Sequence, residues 1–236
     1  MTWVLENLGL IGSLSLEHLR LSVLPIVVGF VLAIPLGWLA WRYKLTRGLI
    51  LTVTGLLYTI PSLALFALLP PLIGTSFLSE SNVTIALTIY AVAIMARAAA
   101  DAFGSVDAGV RQSATAMGYS PWRRFWGVEF PLAGPVLLAG LRVVAVSTIA
   151  LVTVGALLGI DSLGYLFTNG FQRRIVEEIL AGVVMTMVVA LVIDGLLVLL
   201  GRALMPWTRG HPTKVSRRSP VPNAVSTGIS PDGGGS

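Results

Sequence analysis

The sequence predicts an all-α integral membrane protein with five transmembrane helices, and three observations predict it. First, 55% of its 236 residues are hydrophobic and only 11% are charged, where a soluble domain carries about 25% charged residues. With a mean hydropathy of +0.86, the chain has too few charges to cover the surface of a water-soluble globule. Second, its apolar residues gather in runs near the roughly 20 residues that a helix needs to cross a bilayer. They lack the alternation of a transmembrane barrel. Third, Lys and Arg are distributed unequally between the connections. At 25.0 kDa the chain is read as one domain.

Residues 1–20 come before the first run. Glu6 and Glu17 precede the first base, Arg20, so the charged start of a signal peptide is missing. The segment is expected to be extracytoplasmic, with a short interfacial helix over Trp3–Leu19. The transmembrane domain is expected over 21–206. Its first span is 21–41. The second is 49–69, inside a stretch from Gly48 to Ser79 that holds no charge. The third, 81–100, is interrupted only by Arg97. The fourth, 132–158, carries Arg142, and the fifth, 179–201, carries Asp194. Pro25, Pro35, Pro61 and Pro135 kink or break these spans.

Five spans place the two ends on opposite sides, and the cations orient them. Twelve of the 16 Lys and Arg fall in the connection after span one, the connection after span three, or the C-terminal segment. Three fall on the other side: Arg20, Arg173 and Arg174. The N-terminus is therefore expected outside and the C-terminus in the cytoplasm. Residues 207–236 are expected to form a disordered cytoplasmic tail, since 14 of these 30 residues are Pro, Gly or Ser and no apolar period runs through them. Its basic part, from Arg209 to Arg218, is expected to rest on lipid.

Composition also excludes several chemistries. There is no cysteine, so disulfides, thiolate catalysis and Cys-based metal sites are ruled out. Two histidines, His18 and His211, are too few for a His-rich metal site. No phosphate-binding Gly-Lys-Ser/Thr motif or zinc-binding His-Glu motif is present. Neither a catalytic residue, a metal nor a cofactor is expected. The net charge of +5 points to anionic lipid rather than nucleic acid.

The connection from Arg97 to Pro131 is long where the others are short. It reads as helix, turn, helix and re-entry at Pro131. Gly118 would supply the left-handed turn that a residue with a Cβ resists, and Pro121 would open the next helix. Ser113, Ala114 and Ala116 are small enough to let another surface come close. A structured cytoplasmic loop in so small a membrane protein suggests a docking platform.

The stretch QSATAMGYSPWRRFWGVEFP, from Gln112 to Pro131, resembles the EAA loop of ATP-binding-cassette importer permeases. That pattern is Glu-Ala-Ala, three residues, Gly, nine residues, then Ile-x-Leu-Pro. Gln112, Ser113 and Ala114 stand at Glu-Ala-Ala, Gly118 at Gly, and Val128, Phe130 and Pro131 at Ile, Leu and Pro. Gln112 brings no carboxylate, which leaves the shape-based part of docking. LEHLRLSVLPIVVGFVLAIPLGWLAWR, TIPSLALFALLPPLIG and LLGIDSLGYLFTNGF are similar to segments of the osmoprotectant permeases, and the resemblance covers residues 16 to 205. It implies a methionine-importer-like permease fold and transport of glycine betaine, carnitine, choline or proline betaine. It also implies a second permease, identical or a paralogue, two cytoplasmic ATPase subunits and an extracytoplasmic substrate-binding protein. The 112–131 loop would couple the permease to the ATPase. The alternatives are a permease for another small nutrient such as methionine, an ion-coupled carrier or channel, and a membrane anchor.

Arg142 and Asp194 are the charges well inside spans. Such charges are costly and are paired or functional by default. Their depths, about 15 Å and about 10 Å from the cytoplasmic ends at 1.5 Å per residue, suit an ion pair, the alternative being separate snorkelling. The aromatics Trp38, Tyr58, Phe66 and Tyr90 read as packing residues in preference to a path for a quaternary ammonium cation. Gly159–Gly164, with Asn169, Gly170, Arg173 and Arg174, forms the external connection and is a candidate to meet a binding protein. Glu177 and Glu178 read as a solvated helix start.

Overall fold

The structure is a computed structural model that describes residues 2–209. It is helical throughout, and no strand occurs among the described residues. The order is α1 (Thr2–Glu6), α2 (Leu8–Arg42), α3 (Lys44–Thr59), α4 (Ser62–Ile73), α5 (Glu80–Gly104), α6 (Ala108–Ala116) and α7 (Pro121–Arg124). A π-helical turn, Phe125–Glu129, leads into α8 (Phe130–Val152). A 3-10 turn (Thr153–Leu158), α9 (Gly164–Arg173) and α10 (Val176–Leu204) follow, and Pro206–Arg209 form a last 3-10 turn. Most of the predicted tail, residues 210–236, lies outside the described residues.

Among the described residues, four helical stretches are long and apolar enough to cross a membrane: α2, α5, α10 and the run Pro121–Leu158. The pair α3 and α4 makes a fifth if its two halves are counted together. These two helices meet at 101°, so the run expected as one span over 49–69 is a broken one. Pro61 causes the break. It has no N–H to donate, its ring excludes the preceding turn, and it drives Ile60 out of helical backbone, to φ −65° and ψ 128°. The Ile60 carbonyl this frees accepts a hydrogen bond from the Tyr90 hydroxyl at 2.6 Å.

The first helix also differs from expectation. In place of a separate interfacial helix over Trp3–Leu19, α2 runs unbroken for 35 residues from Leu8. Its N-terminal part buries Ile11 and Leu14 with Leu163 of the segment before α9, Leu166 of α9 and Ala181 of α10. Those contacts supply the tertiary packing that holds a helix together.

Helix α5 is central and lies between α2 and α8. It is rich in alanine, with Ala91, Ala96, Ala99 and Ala102 all fully buried. Opposite them, α2 presents Gly29, Ala33 and Gly37 at four-residue spacing. A Cβ at Gly29 or Gly37 would collide with Ala91 or Ala99. Small residues at this spacing let two backbones approach in lipid, where packing rather than hydrophobic expulsion drives association.

His18 is fully buried and marks where α8 gives way to the 3-10 turn. There the Thr153 N–H bonds to the Leu151 carbonyl, and the His18 Nε2 lies 3.0 Å from the Ile149 carbonyl. A carbonyl only accepts, so Nε2 carries the proton in this contact. Glu178 corrects the expectation of a solvated helix start, because it is fully buried. Its Oε1 accepts from Asn169 Nδ2 at 2.6 Å, which ties α9 to α10.

Candidate functional site: the 107–131 platform

Local rules shape the platform. Asp107 caps α6, its Oδ1 accepting from the N–H groups of Gly109 at 2.7 Å and Val110 at 3.1 Å. The other end closes with two reciprocal bonds, Tyr119 N–H to the Ala114 carbonyl and Gly118 N–H to the Thr115 carbonyl. This is the Schellman arrangement, which needs a left-handed residue after the helix. Gly118 fills that place with φ +82°. Ser120 then caps α7, its hydroxyl accepting from the Arg123 N–H at 3.4 Å, with Pro121 at the first helical position.

After α7 the helix widens by one residue. The Phe130 N–H reaches back five residues to the Phe125 carbonyl. This π turn places Arg124 and Glu129 face to face, with Arg124 Nε 2.9 Å from Glu129 Oε1. The same guanidinium donates through Nη1 to Thr115 Oγ1 at 2.8 Å, pinning α6 to the π turn. The Glu129 side chain is 3% exposed, so its charge is met inside the protein. A second arginine anchors the platform to the spans. Arg111 donates to the Phe103 carbonyl at 3.1 Å and lies over the Trp41 ring at 4.6 Å.

The loop residues singled out by spacing do not form one cluster of equivalent groups. Gln112, Ser113 and Gly118 are exposed, while Ala114 is buried beneath them. Val128, Phe130 and Pro131 are half-buried where the π turn enters α8. Two large apolar side chains of the segment are exposed, Met117 at 70% on the turn and Trp122 at 71% on α7. The platform is thus a rigid turn with a small-residue and apolar outer surface. Spacing singled out the turn but not the Arg124–Glu129–Thr115 clamp. The available signal was Glu129 five residues after Arg124, a separation that meets across a π turn and not across an α turn.

Arg142 and Asp194 lie apart from the platform, with Arg142 twelve residues past Phe130, or about 18 Å along α8. Their side chains join α8 to α10 in a two-pronged pair, Nε to Oδ1 at 2.6 Å and Nη2 to Oδ2 at 2.7 Å. The four aromatics divide between two packing clusters. Trp38 meets Phe125 edge-on at 5.9 Å, whereas Tyr90 meets Tyr58 edge-on at 6.2 Å and packs with the buried Phe66. No group of three or more His, Cys, Asp or Glu suited to a metal occurs among the described residues.

Known proteins resemble the chain in sequence and in fold. A family model described as the binding-protein-dependent transport system inner membrane component matches residues 26–209. The osmoprotectant import permease protein OsmW of Salmonella typhimurium is 34% identical over 207 residues, covering 86% of this chain and 96% of that protein. The choline transport system permease protein OpuBB of Bacillus subtilis is 30% identical over 190 residues, covering 80% and 86%. Among solved structures, an inward-facing form of the MetNI methionine ABC transporter aligns with a TM-score of 0.76 at 20% identity. It covers 84% of this chain and 98% of that one. An amino acid ABC transporter solved with histidines aligns at 0.71 and 17% identity, covering 86% and 97%. At these identities the solved structures speak for the fold.

Proposed function

This chain belongs to the family of binding-protein-dependent transport system inner membrane components, and from that premise we propose that it is the transmembrane subunit of an ATP-driven importer of osmoprotectants. The substrates are small betaine-like solutes such as glycine betaine, carnitine, choline or proline betaine. The family makes it a membrane-embedded permease component and not a catalytic subunit, so ATP hydrolysis belongs to separate ATPase chains. A second permease, identical or a paralogue, completes the pathway. An extracytoplasmic binding protein delivers the solute.

The observation that carries the reading is the platform. Its exposed turn, held by the Schellman closure at Gly118 and the Arg124 clamp, is a preformed shape for an ATPase groove. Gln112, Ser113, Ala114 and Gly118 belong to the docking turn. Val128, Phe130 and Pro131 carry its displacement into α8. Closure of the ATPases then switches the permease between inward-facing and outward-facing states by a rigid-body rotation. The excess of cations in the α2–α3 and α5–α8 connections and the C-terminal segment supports an orientation with the platform and C-terminus in the cytoplasm and the N-terminus outside. In this reading residues 1–20 face outward, 21–206 form the permease domain and 207–236 are a cytoplasmic tail. The pair Arg142–Asp194 braces α8 against α10.

Uptake of radiolabelled glycine betaine tests the function in cells lacking other betaine systems. The cells carry the permease with its ATPase and binding protein in high-osmolarity medium. Wild type is expected to accumulate the solute in an ATP-dependent manner, and Gly118→Trp to lose uptake while still inserting in the membrane. Normal uptake by Gly118→Trp would remove the 112–131 segment as the coupling element. An assembled wild type that moves choline, carnitine or methionine but not glycine betaine would redirect the substrate and keep the importer.

A further inference from the structure

Two cavities lie one after the other along a single face of α2. The first is an aromatic slot of about 720 Å³, lined chiefly by Phe30, Trp38, Trp122, Phe125, Trp126 and Phe130, with no charged residue in its wall. The second, about 560 Å³, is lined by the guanidinium-bearing Arg42, Arg111 and Arg124 together with Trp41, Gln112 and Thr115. Trp38 and Arg42 are four residues apart, so the cavities are separated by one helical turn, about 6 Å. The same short segment contributes to both walls, Phe125 to the first cavity and Arg124 to the second.

The charges in the second cavity are unequally met. Arg124 is paired with Glu129. Among the described residues Arg111 meets a carbonyl and an indole face, and Arg42 lies over the Tyr43 ring at 5.8 Å. Among the described residues neither Arg42 nor Arg111 has a carboxylate within 4.0 Å. The slot beside them presents aromatic walls with little to pair the backbone N–H and C=O groups of a peptide occupant, which are costly to bury unpaired. Hydrocarbon carries no such cost. An occupant that fits both cavities has an apolar tail and, directly at its end, an anionic head.

We propose that these cavities form one binding site for an anionic phospholipid of the surrounding bilayer. The acyl chain lies in the slot and the phosphate rests against Arg42 and Arg111. Basic pockets at the ends of membrane helices favour such head groups. Because Arg111 also holds α6 to the end of α5, the lipid would bear on the position of the platform. The proposal goes beyond the transport reading and is tested without substrate or ATPase, so either can fail alone.

The test uses the purified full-length protein in phosphatidylcholine nanodiscs, with tryptophan fluorescence quenched by brominated acyl chains. Brominated phosphatidylglycerol is expected to reach half-maximal quenching at about tenfold lower mole fraction than brominated phosphatidylcholine. The Arg42→Gln/Arg111→Gln double variant is expected to lose most of that preference. Replacing Trp38, Trp122 and Trp126 by Phe should remove the selective part of the signal, leaving quenching at tryptophans outside the slot. Excess inorganic phosphate should leave the quenching unchanged. Equal quenching by the two lipids in wild type would overturn the proposal without recourse to any variant. So would displacement by phosphate, which would mean a free anion, or an undiminished preference in the arginine double variant.

Discussion

The Tyr90 hydroxyl donates to the Ile60 carbonyl at 2.6 Å, joining the middle of α5 to the break between α3 and α4. The bond explains how a span can turn through 101° within an apolar region. The carbonyl exposed by the proline break is satisfied by a neighbouring helix, which is the condition for irregular backbone at membrane depth. Tyr90→Phe keeps the ring and its contact with Tyr58 but orphans that carbonyl. A loss of about 1–3 kcal/mol is expected, read as a lower thermal midpoint of the purified protein in detergent. An unchanged midpoint would mean that another donor reaches Ile60.

Gly118 sits in open space, since an added Cβ would meet nothing within 4 Å, yet its φ is +82°. The penalty for substitution is therefore conformational and not steric. Gly118→Ala should destabilise the turn by about 1–2 kcal/mol, while Gly118→Asn, which tolerates left-handed backbone, should cost less. Uptake rates at matched expression should rank Gly, Asn, Ala. Equal rates for Asn and Ala would argue that the left-handed turn does not limit transport.

The Arg124–Glu129 pair predicts an asymmetry. Glu129 is almost wholly buried and Arg124 is not. Arg124→Gln strands a buried carboxylate and should cost about 3–5 kcal/mol. Glu129→Gln leaves a cation that can still bond Thr115 and reach water, and should cost less. The Arg124→Gln/Glu129→Gln double variant should recover part of the loss. Thermal unfolding of the three proteins measures it, and a more stable Arg124→Gln than Glu129→Gln would contradict the clamp.

Arg142 and Asp194 should behave as a unit. Arg142→Asp and Asp194→Arg alone are each expected to lower the amount of inserted protein and its uptake. The swap Arg142→Asp/Asp194→Arg should restore most of both. A swap no better than either single reversal would show that each charge serves a separate partner.

Two glycines of α2 predict opposite signs. Gly37→Ala drives a methyl into Ala99 and should destabilise by about 1–3 kcal/mol through overpacking. Gly12→Ala meets nothing within 4 Å and should stabilise by up to about 1 kcal/mol through helix propensity. Thermal midpoints of the two variants, compared with wild type, check both signs. A stabilising Gly37→Ala would mean that α2 and α5 are not packed this closely.

Much of the fold was legible because bilayer thickness imposes its own length on the chain and leaves apolar runs of matching size. The bend at Pro61 was visible as a proline, but its angle was not, because the stabilising partner, Tyr90, is thirty residues away. The reach of α2 back to Leu8 was hidden because its first turns are only moderately apolar and are held by α9 and α10. Glu178 misled for a related reason: an acidic residue in the first turn of a helix usually faces water, and only the fold brings Asn169 to it. At the platform, turn chemistry was readable from Gly118 and Pro121. The π turn was not, because nothing in the local residue pattern of Phe125–Glu129 distinguishes one extra residue per turn from the regular i to i−4 ladder.

The length of α2 has a mechanical consequence. At 1.5 Å per residue its 35 residues extend about 52 Å, well beyond the roughly 30 Å hydrocarbon layer. One continuous element therefore touches α9 and α10 near its start and, through Trp41, the anchoring arginine of the platform near its finish. A lever of this length needs little rotation. Tilting it by about 5° around its midpoint carries each end through about 2 Å, the scale of helix shifts that switch packed interfaces. Pro25 and Pro35 each remove one internal hydrogen bond and mark the joints at which such a lever would flex.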